Sequence, residues 1–167
     1  MTDPVLADIF RLSKALLETA GEQNVTIGVV ESCTGGLLGA AITAMPGSSA
    51  VFQGGFLTYS NALKQSLVGV DEGTLREHGA VSEATAIEMA EGGRSRLEVD
   101  LCLSITGIAG PGGGSEEKPV GTVCFGLARK GATTAETKLF DGLSRNRVRD
   151  HAVMHGLERL TEAARQT

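Results

Sequence analysis

The sequence predicts an α/β protein: a three-layer α/β/α sandwich around a mixed, mostly parallel five-stranded sheet with one strand antiparallel. Two observations carry this. Early in the chain, short β-branched runs alternate with helical stripes, which is the pattern of parallel strands with crossover helices. Late in the chain, two apolar runs are separated only by Lys130-Gly131-Ala132, which reads as a hairpin closing the sheet. A length of 167 residues with 41% apolar side chains suits one domain, 1–167, and neither a repeat nor a linker interrupts it.

The elements follow in order. Asp3-Pro4 reads as an N-cap and first helical proline, and Val5, Ile9, Leu12 and Leu16 then recur at helical spacing to about Gly21. Residues 25–30, "VTIGVV", form a β-branched run of strand length that feeds straight into Ser32. Leu38, Ala41, Ile42 and Met45 make the next helical stripe, which ends before Pro46 and places a helix start at the serine. Residues 55–59 are a second strand, and Ser60-Asn61 cap a short helical turn carrying Lys64.

Ser82 caps a long helix to about Leu97, with Ala84, Ile87, Ala90 and Leu97 expected on its inner side. Residues 101–106 are the third strand, 122–128 the fourth and about 135–140 the fifth. Ser144 opens the last helix, with Val153, Leu157, Leu160 and Ala164 facing inward.

Composition excludes several function classes. A net charge of −5, with both signs interspersed, lacks the clustered cations of a nucleic-acid surface, and an aromatic content of 4% lacks stacking platforms. No apolar run approaches membrane length, and the first residues lack the basic head and apolar stretch of a signal peptide. Three well-separated cysteines, Cys33, Cys102 and Cys124, fit a reduced, cytoplasmic protein and lack metal-ligand spacing.

In open α/β sheets ligands bind beyond the carboxyl ends of the strands. Ser32, the segment from Tyr59 to Lys64 and the loop from Thr106 all follow such ends, so one crevice can gather them. At "VESCTGG", Ser32 is either a nucleophile, with N–H groups of Cys33, Thr34, Gly35 and Gly36 and the helix end facing an oxyanion, or simply a cap. Cys33 beside it reads as packing or a backbone donor, since none of His78, His151 and His155 offers itself as a thiolate partner. A serine without histidine needs another base. Lys64 can serve, as in Ser-Lys variants of the triad, only if its affinity for protons falls by roughly three units, because about one free lysine in 2,500 is neutral at pH 7. Otherwise it is a surface lysine.

"TGIAGPGGG" permits close backbone approach by a ligand but matches neither phosphate-loop nor dinucleotide fingerprints, and a mobile linker is the bland reading. Arg145, Arg147 and Arg149 open the last helix, where the dipole disfavours cations. Either an anionic ligand group or plain solvation compensates them.

Taken together, "ESCTGG", "PGSS" at residues 46–49, "GGFLTYSNALK", "HGAVSE", "SITGIAGPGGGSEEKPVGTV" and "RNRVRDHA" resemble, in order and over nearly the whole chain, the carboxyl-terminal domain of the competence-damage-inducible CinA family. The resemblance implies a nicotinamide-nucleotide amidase that hydrolyses nicotinamide mononucleotide to nicotinic acid mononucleotide and ammonia, in pyridine-nucleotide salvage. It implies a serine/lysine mechanism without metal or cofactor, with Ser32 as nucleophile and Lys64 as base. Tyr59 would orient the nicotinamide ring or relay a proton. Thr106 and Gly107 would line the pocket, while Gly110, Gly112, Gly113 and Arg149 would meet the ribose phosphate. Ser48 and Ser49 match a second serine motif, whose place in the nucleophile network, the oxyanion hole or phosphate binding stays open. Longer members carry a further N-terminal domain, whose activity is not expected of this sequence. Two alternatives stand beside this one: a nucleotide-binding module without turnover, and an amidase for another small amide. The partners expected are the nucleotide substrate and, as a homo-oligomer, further copies of the chain; neither nucleic acid nor membrane is expected.

Overall fold

In the computed structural model, which describes residues 4–167, the chain runs through α1 (Pro4–Glu22), β1 (Ile27–Glu31), α2 (Leu37–Thr43), a 3-10 turn (Ser48–Ala50) and β2 (Phe52–Leu57). It continues through α3 (Asn61–Val68), α4 (Glu72–His78), α5 (Glu83–Leu97), β3 (Leu101–Gly107), β4 (Thr122–Arg129), β5 (Ala132–Leu139) and α6 (Arg145–Arg165). The expected Asp3 cap lies outside the described residues. The five strands form one sheet in the order β2-β1-β3-β4-β5. β1 pairs parallel with β2 and β3, whereas β4 is antiparallel to both β3 and β5. β4 alone therefore runs against the others, so the expected mixed sheet is present with its one antiparallel strand.

Alternation within the strands divides the core in two. Ile27, Val29, Leu101, Leu103, Ile105 and Phe125 face α1, α2 and α6. Val30 and Cys102 face the other side, where they pack with Val68, Leu75 and Met89 of α3, α4 and α5. This is the three-layer arrangement, with apolar side chains on both faces of the central strands.

α5 corrects one expectation. Its buried residues are Thr85, Ala86, Met89, Ala90 and Gly93, so of the four expected inward positions only Ala90 lies fully in the core. The reason is close packing. The helix sits so near the sheet that a Cβ on Gly93 would come within 2.3 Å of Val30 Cγ2, and one on Gly126 of β4 within 2.1 Å of the Ala86 carbonyl. Small residues flank Met89 on the inner face here, and the bulkier Ile87 and Leu97 are left at its margins. α6 buries Val153, Leu157, Leu160 and Ala164 as expected.

α4 was not anticipated, although its signals are present. Asp71 caps it by accepting from Gly73 N and Thr74 N at 2.7 and 3.3 Å, Glu72 occupies its first turn and Gly79 ends it.

The topology decides where a site can be. Glu31 at the end of β1 pairs with Leu57 at the end of β2 and with Ile105 in β3, so three carboxyl termini share one edge of the sheet. The ladder continues one step further, with Ser32 N donating to Ile105 O at 2.9 Å and Thr58 N to Glu31 O at 2.8 Å.

Candidate active site

Ser32 emerges from β1 and Lys64 from α3, and they meet at that edge. Lys64 Nζ lies 3.1 Å from Ser32 Oγ and 2.7 Å from the carbonyl oxygen of Thr58. Ser60 fixes the approach of α3 by accepting from Leu63 N at 3.2 Å, so the first turn of the helix swings Lys64 under the serine. Both partners are shielded: Lys64 is 1% exposed and Ser32 7%. Burial lowers the lysine from its ordinary 10.5 to about 8, and Cys33 opposes this weakly. Nζ donates in both contacts; on losing a proton the amine can keep its bond to Thr58 O and accept from the Ser32 hydroxyl instead, the hydrogen-bond arrangement of a base and its nucleophile.

Cys33 is a poor competitor. Burial pushes its thiol up to about 11, so a thiolate is disfavoured although Lys64 and Arg149 are near enough to oppose the shift. The histidines lie elsewhere. His155 bonds Glu136 at 3.0 Å and packs edge-on against Phe125, His151 lies against Phe140, and His78 faces Glu77.

The dyad opens into a crevice of about 280 Å³, small even among small-molecule sites. Ser32, Cys33, Tyr59 and Lys64 line one side of it. Thr106, Gly107, Gly110, Gly112 and Gly113 line the other, as the sequence anticipated for the loop after β3. Thr106 itself is committed, its hydroxyl donating to Ala80 O at 2.7 Å and bringing Ala80 and Val81 into the wall. Tyr59 stands at the mouth, 64% exposed.

Several expected site residues are placed elsewhere. Arg149 does not reach the crevice; its Nη2 donates to Thr34 O at 2.9 Å, and it lines a separate depression with Leu37 and Asp150. Arg145, one turn earlier on α6, takes the expected position. It donates to Gly110 O at 2.7 Å and reaches the Tyr59 hydroxyl at 3.3 Å. Arg147 pairs with Asp150 at 3.5 Å, so carbonyl and carboxylate partners compensate these cations at the helix start.

Thr34 is fully buried and Gly35 is exposed, and neither lines the crevice. Ser48 and Ser49 sit in the 3-10 turn that leads into β2, beside the amino end of β1, where Ile27 N bonds Val51 O. They are separated from Ser32 by the length of β1, about 15 Å for five residues at the usual rise. The helix start is also displaced. α2 begins at Leu37, and Glu31 accepts from Gly36 N, Leu38 N and Gly39 N at 3.0, 3.1 and 2.8 Å, so those donors are not free for an oxyanion. Gly35 N is used by Ser32 O. Among the described residues, the N–H groups of Cys33 and Thr34 have no acceptor on another residue.

Sequence reasoning missed Glu31 and the Thr58 carbonyl, and among the three arginines it weighed for an anionic group it favoured Arg149 over Arg145. Glu31 stands in a quoted motif; a backbone oxygen carries no signal.

Fold and site together define a class: a three-layer α/β/α protein with a buried serine–lysine pair at the carboxyl ends of its parallel strands. The chain belongs to the CinA C-terminal domain family, whose model matches residues 10–164. It is 51% identical over 150 residues to a CinA-like protein of Synechococcus sp. strain CC9902, covering 89% of this chain and 36% of that protein. A putative competence-damage inducible protein of Halothermothrix orenii is 59% identical over 107 residues, 64% of this chain and 26% of that protein. The chain thus spans about a third of the length of the curated relatives it matches. Among solved structures, the competence/damage inducible protein CihA from Agrobacterium tumefaciens superposes with a TM-score of 0.90 at 40% identity, covering 94% of this chain and 95% of that one. A CinA superfamily protein from Klebsiella pneumoniae superposes with a TM-score of 0.91 at 31% identity, covering 95% of this chain and 99% of that one.

Proposed function

We propose that the protein is a serine/lysine amidase that hydrolyses the carboxamide of nicotinamide mononucleotide to nicotinic acid mononucleotide and ammonia. The observation that carries this reading is the 3.1 Å contact between Ser32 Oγ and a buried lysine held near 8. Neutral Lys64 takes the Ser32 proton as Oγ bonds to the carboxamide carbon. The resulting ammonium donates a proton to the departing nitrogen, the C–N bond breaks and ammonia leaves an ester on Ser32. Lys64, neutral again, then deprotonates a water as it attacks the ester carbon, and returns that proton to Ser32 Oγ as the Oγ–C bond breaks and the acid leaves.

The crevice suits a mononucleotide. Tyr59 offers its ring at the mouth, and because its hydroxyl is engaged by Arg145 we assign it to orienting the pyridine rather than relaying a proton. Arg145 and the 107–113 backbone meet the phosphate, in the role that the family resemblance implied for Arg149. The same reading places the protein in the cytoplasm, where its three unpaired cysteines would remain thiols.

The test is ammonia release from nicotinamide mononucleotide by the wild type, Ser32→Ala and Lys64→Met, with nicotinamide riboside as the substrate lacking phosphate. Turnover by the wild type and loss in both variants are expected. Saturable binding without product would make the protein a binding module, and equal kcat/KM with and without phosphate would make it an amidase for another amide.

A further inference from the structure

We propose that Glu31 and Arg149 are positioning residues that clamp the turn 32–36 from opposite sides, and so hold the Cys33 N–H in place to receive the oxyanion formed at Ser32. The inference rests on the amidase reading and concerns residues that make no contact with the crevice.

Glu31 is 1% exposed, and a buried carboxylate is retained only where its oxygens are well satisfied. Oε2 accepts from Gly36 N and Leu38 N, and Oε1 from Gly39 N. The side chain leaves the backbone immediately before Ser32 and ties down the residue four beyond it, closing the turn into a ring. Gly36 at φ 94° and Gly35 at φ 61° supply the left-handed conformations such a tight return needs.

From outside, Arg149 Nη2 holds Thr34 O at 2.9 Å and lies 3.7 Å from where a Gly35 Cβ would stand. With the N–H groups of Gly35, Gly36, Leu38 and Gly39 consumed, that of Cys33, on the residue following the nucleophile, has no acceptor beyond its own thiol. That is where hydrolases built on strand-to-helix turns draw one of their oxyanion donors. A clamp on this donor matters mainly as charge develops on the oxygen, so its loss acts on kcat and spares KM.

The experiment is steady-state kinetics on Glu31→Gln and Arg149→Met. Gln keeps one acceptor oxygen but turns an amide NH2 toward the α2 N–H groups, which spoils the ring without changing its size. We expect kcat to fall about tenfold or more in Glu31→Gln with KM within about threefold, and nicotinic acid mononucleotide to bind with unchanged stoichiometry, which counts folded sites.

Asp71→Ala, which uncaps α4, serves as a destabilised control and should keep the wild-type kcat. Arg149→Met should also lower kcat on nicotinamide mononucleotide and nicotinamide riboside alike, with partial rescue by Arg149→Lys. Should Glu31→Gln not fold, the arginine pair decides. An unchanged kcat in Glu31→Gln, or an equal loss in Asp71→Ala, overturns the clamp while leaving the amidase intact. So does an Arg149→Met defect confined to KM for the phosphorylated substrate, which would return Arg149 to the phosphate. A wild type that releases no ammonia from either substrate overturns both.

Discussion

The dependence of turnover on pH follows from the position of one lysine. With Lys64 held near 8, about one molecule in eleven carries the neutral amine at pH 7, against about one in 3,000 at the ordinary value, a gain of roughly 300-fold in active base. The shift corresponds to about 3 kcal/mol of difference between the two protonation states. Log kcat/KM for ammonia release should therefore climb with unit slope below pH 8, gain about tenfold between pH 7 and 9, and level off above. Because the substrate phosphate titrates near 6, the profile is best repeated with nicotinamide riboside, which lacks that group. Lys64→Met should lose at least about 99% of activity at every pH. An inflection near 6.5, where histidines titrate, or a flat profile would refute the assignment of Lys64 as base.

Other perturbations test the fold around the dyad. Since the folded state depresses Lys64, this group stabilises the protein only as the pH rises from about 8 toward 10.5, and below 8 it is a net burden. Lys64→Met should accordingly raise unfolding stability by about 1–2 kcal/mol at pH 7 in urea titrations, with the gap narrowing toward pH 10; a less stable variant contradicts the burial account. Gly126→Ala places a Cβ 2.1 Å from Ala86 O and 2.6 Å from Ser104 Oγ, and should cost roughly 3 kcal/mol by the same measurement, whereas a change under about 0.5 would mean α5 can move away freely. Burial pushes the Glu136 carboxyl up, but hydrogen bonds from His155 and Lys138 and the charges of His155 and Arg159 hold it below its ordinary value. Its stabilisation is present at neutral pH and lost as the pH falls through that lowered value. Glu136→Gln should cost about 1 kcal/mol at pH 7 and less at pH 4, and a constant difference would contradict the linkage.

The readable part of the site was the part written at strand ends. "VESCTGG", "TYSNALK" and "TGIAG" each follow an apolar run, and a parallel sheet must bring such segments to one edge. The same topology could have excluded Ser48 and Ser49. A crossover helix that leaves the carboxyl end of β1 returns the chain to the amino ends, so residues just before β2 lie at the wrong side of the sheet. The choice between Arg145 and Arg149 was not legible in this way. They are one helical turn apart, and only the seating of α6 against α1, α2 and the sheet decides which reaches the crevice. The inner face of α5 was missed because hydrophobicity was used to find it, whereas Gly93 and Ala86 mark it by their small size. The role of Glu31 was hidden because its three contacts come from backbone N–H groups beyond the turn, which leave no side-chain signal in the sequence.

That carboxylate also bears on how Lys64 remains a base. A carboxylate turned into the dyad would favour the ammonium and lift the lysine back toward 10. Glu31 precedes Ser32 directly, yet both of its oxygens are taken by N–H groups at the start of α2, and burial is the main cause that lowers Lys64. The contacts that fix the turn therefore also keep the acid away from the amine. In Glu31→Gln the plateau of the pH profile should fall while its inflection stays near 8, because geometry has changed and the field at Lys64 has not. If the charge of Glu31 instead tuned the lysine, its removal would move the inflection to lower pH, and a shift of more than about 0.5 unit, roughly 0.7 kcal/mol, would show that Glu31 acts on the base rather than on the turn.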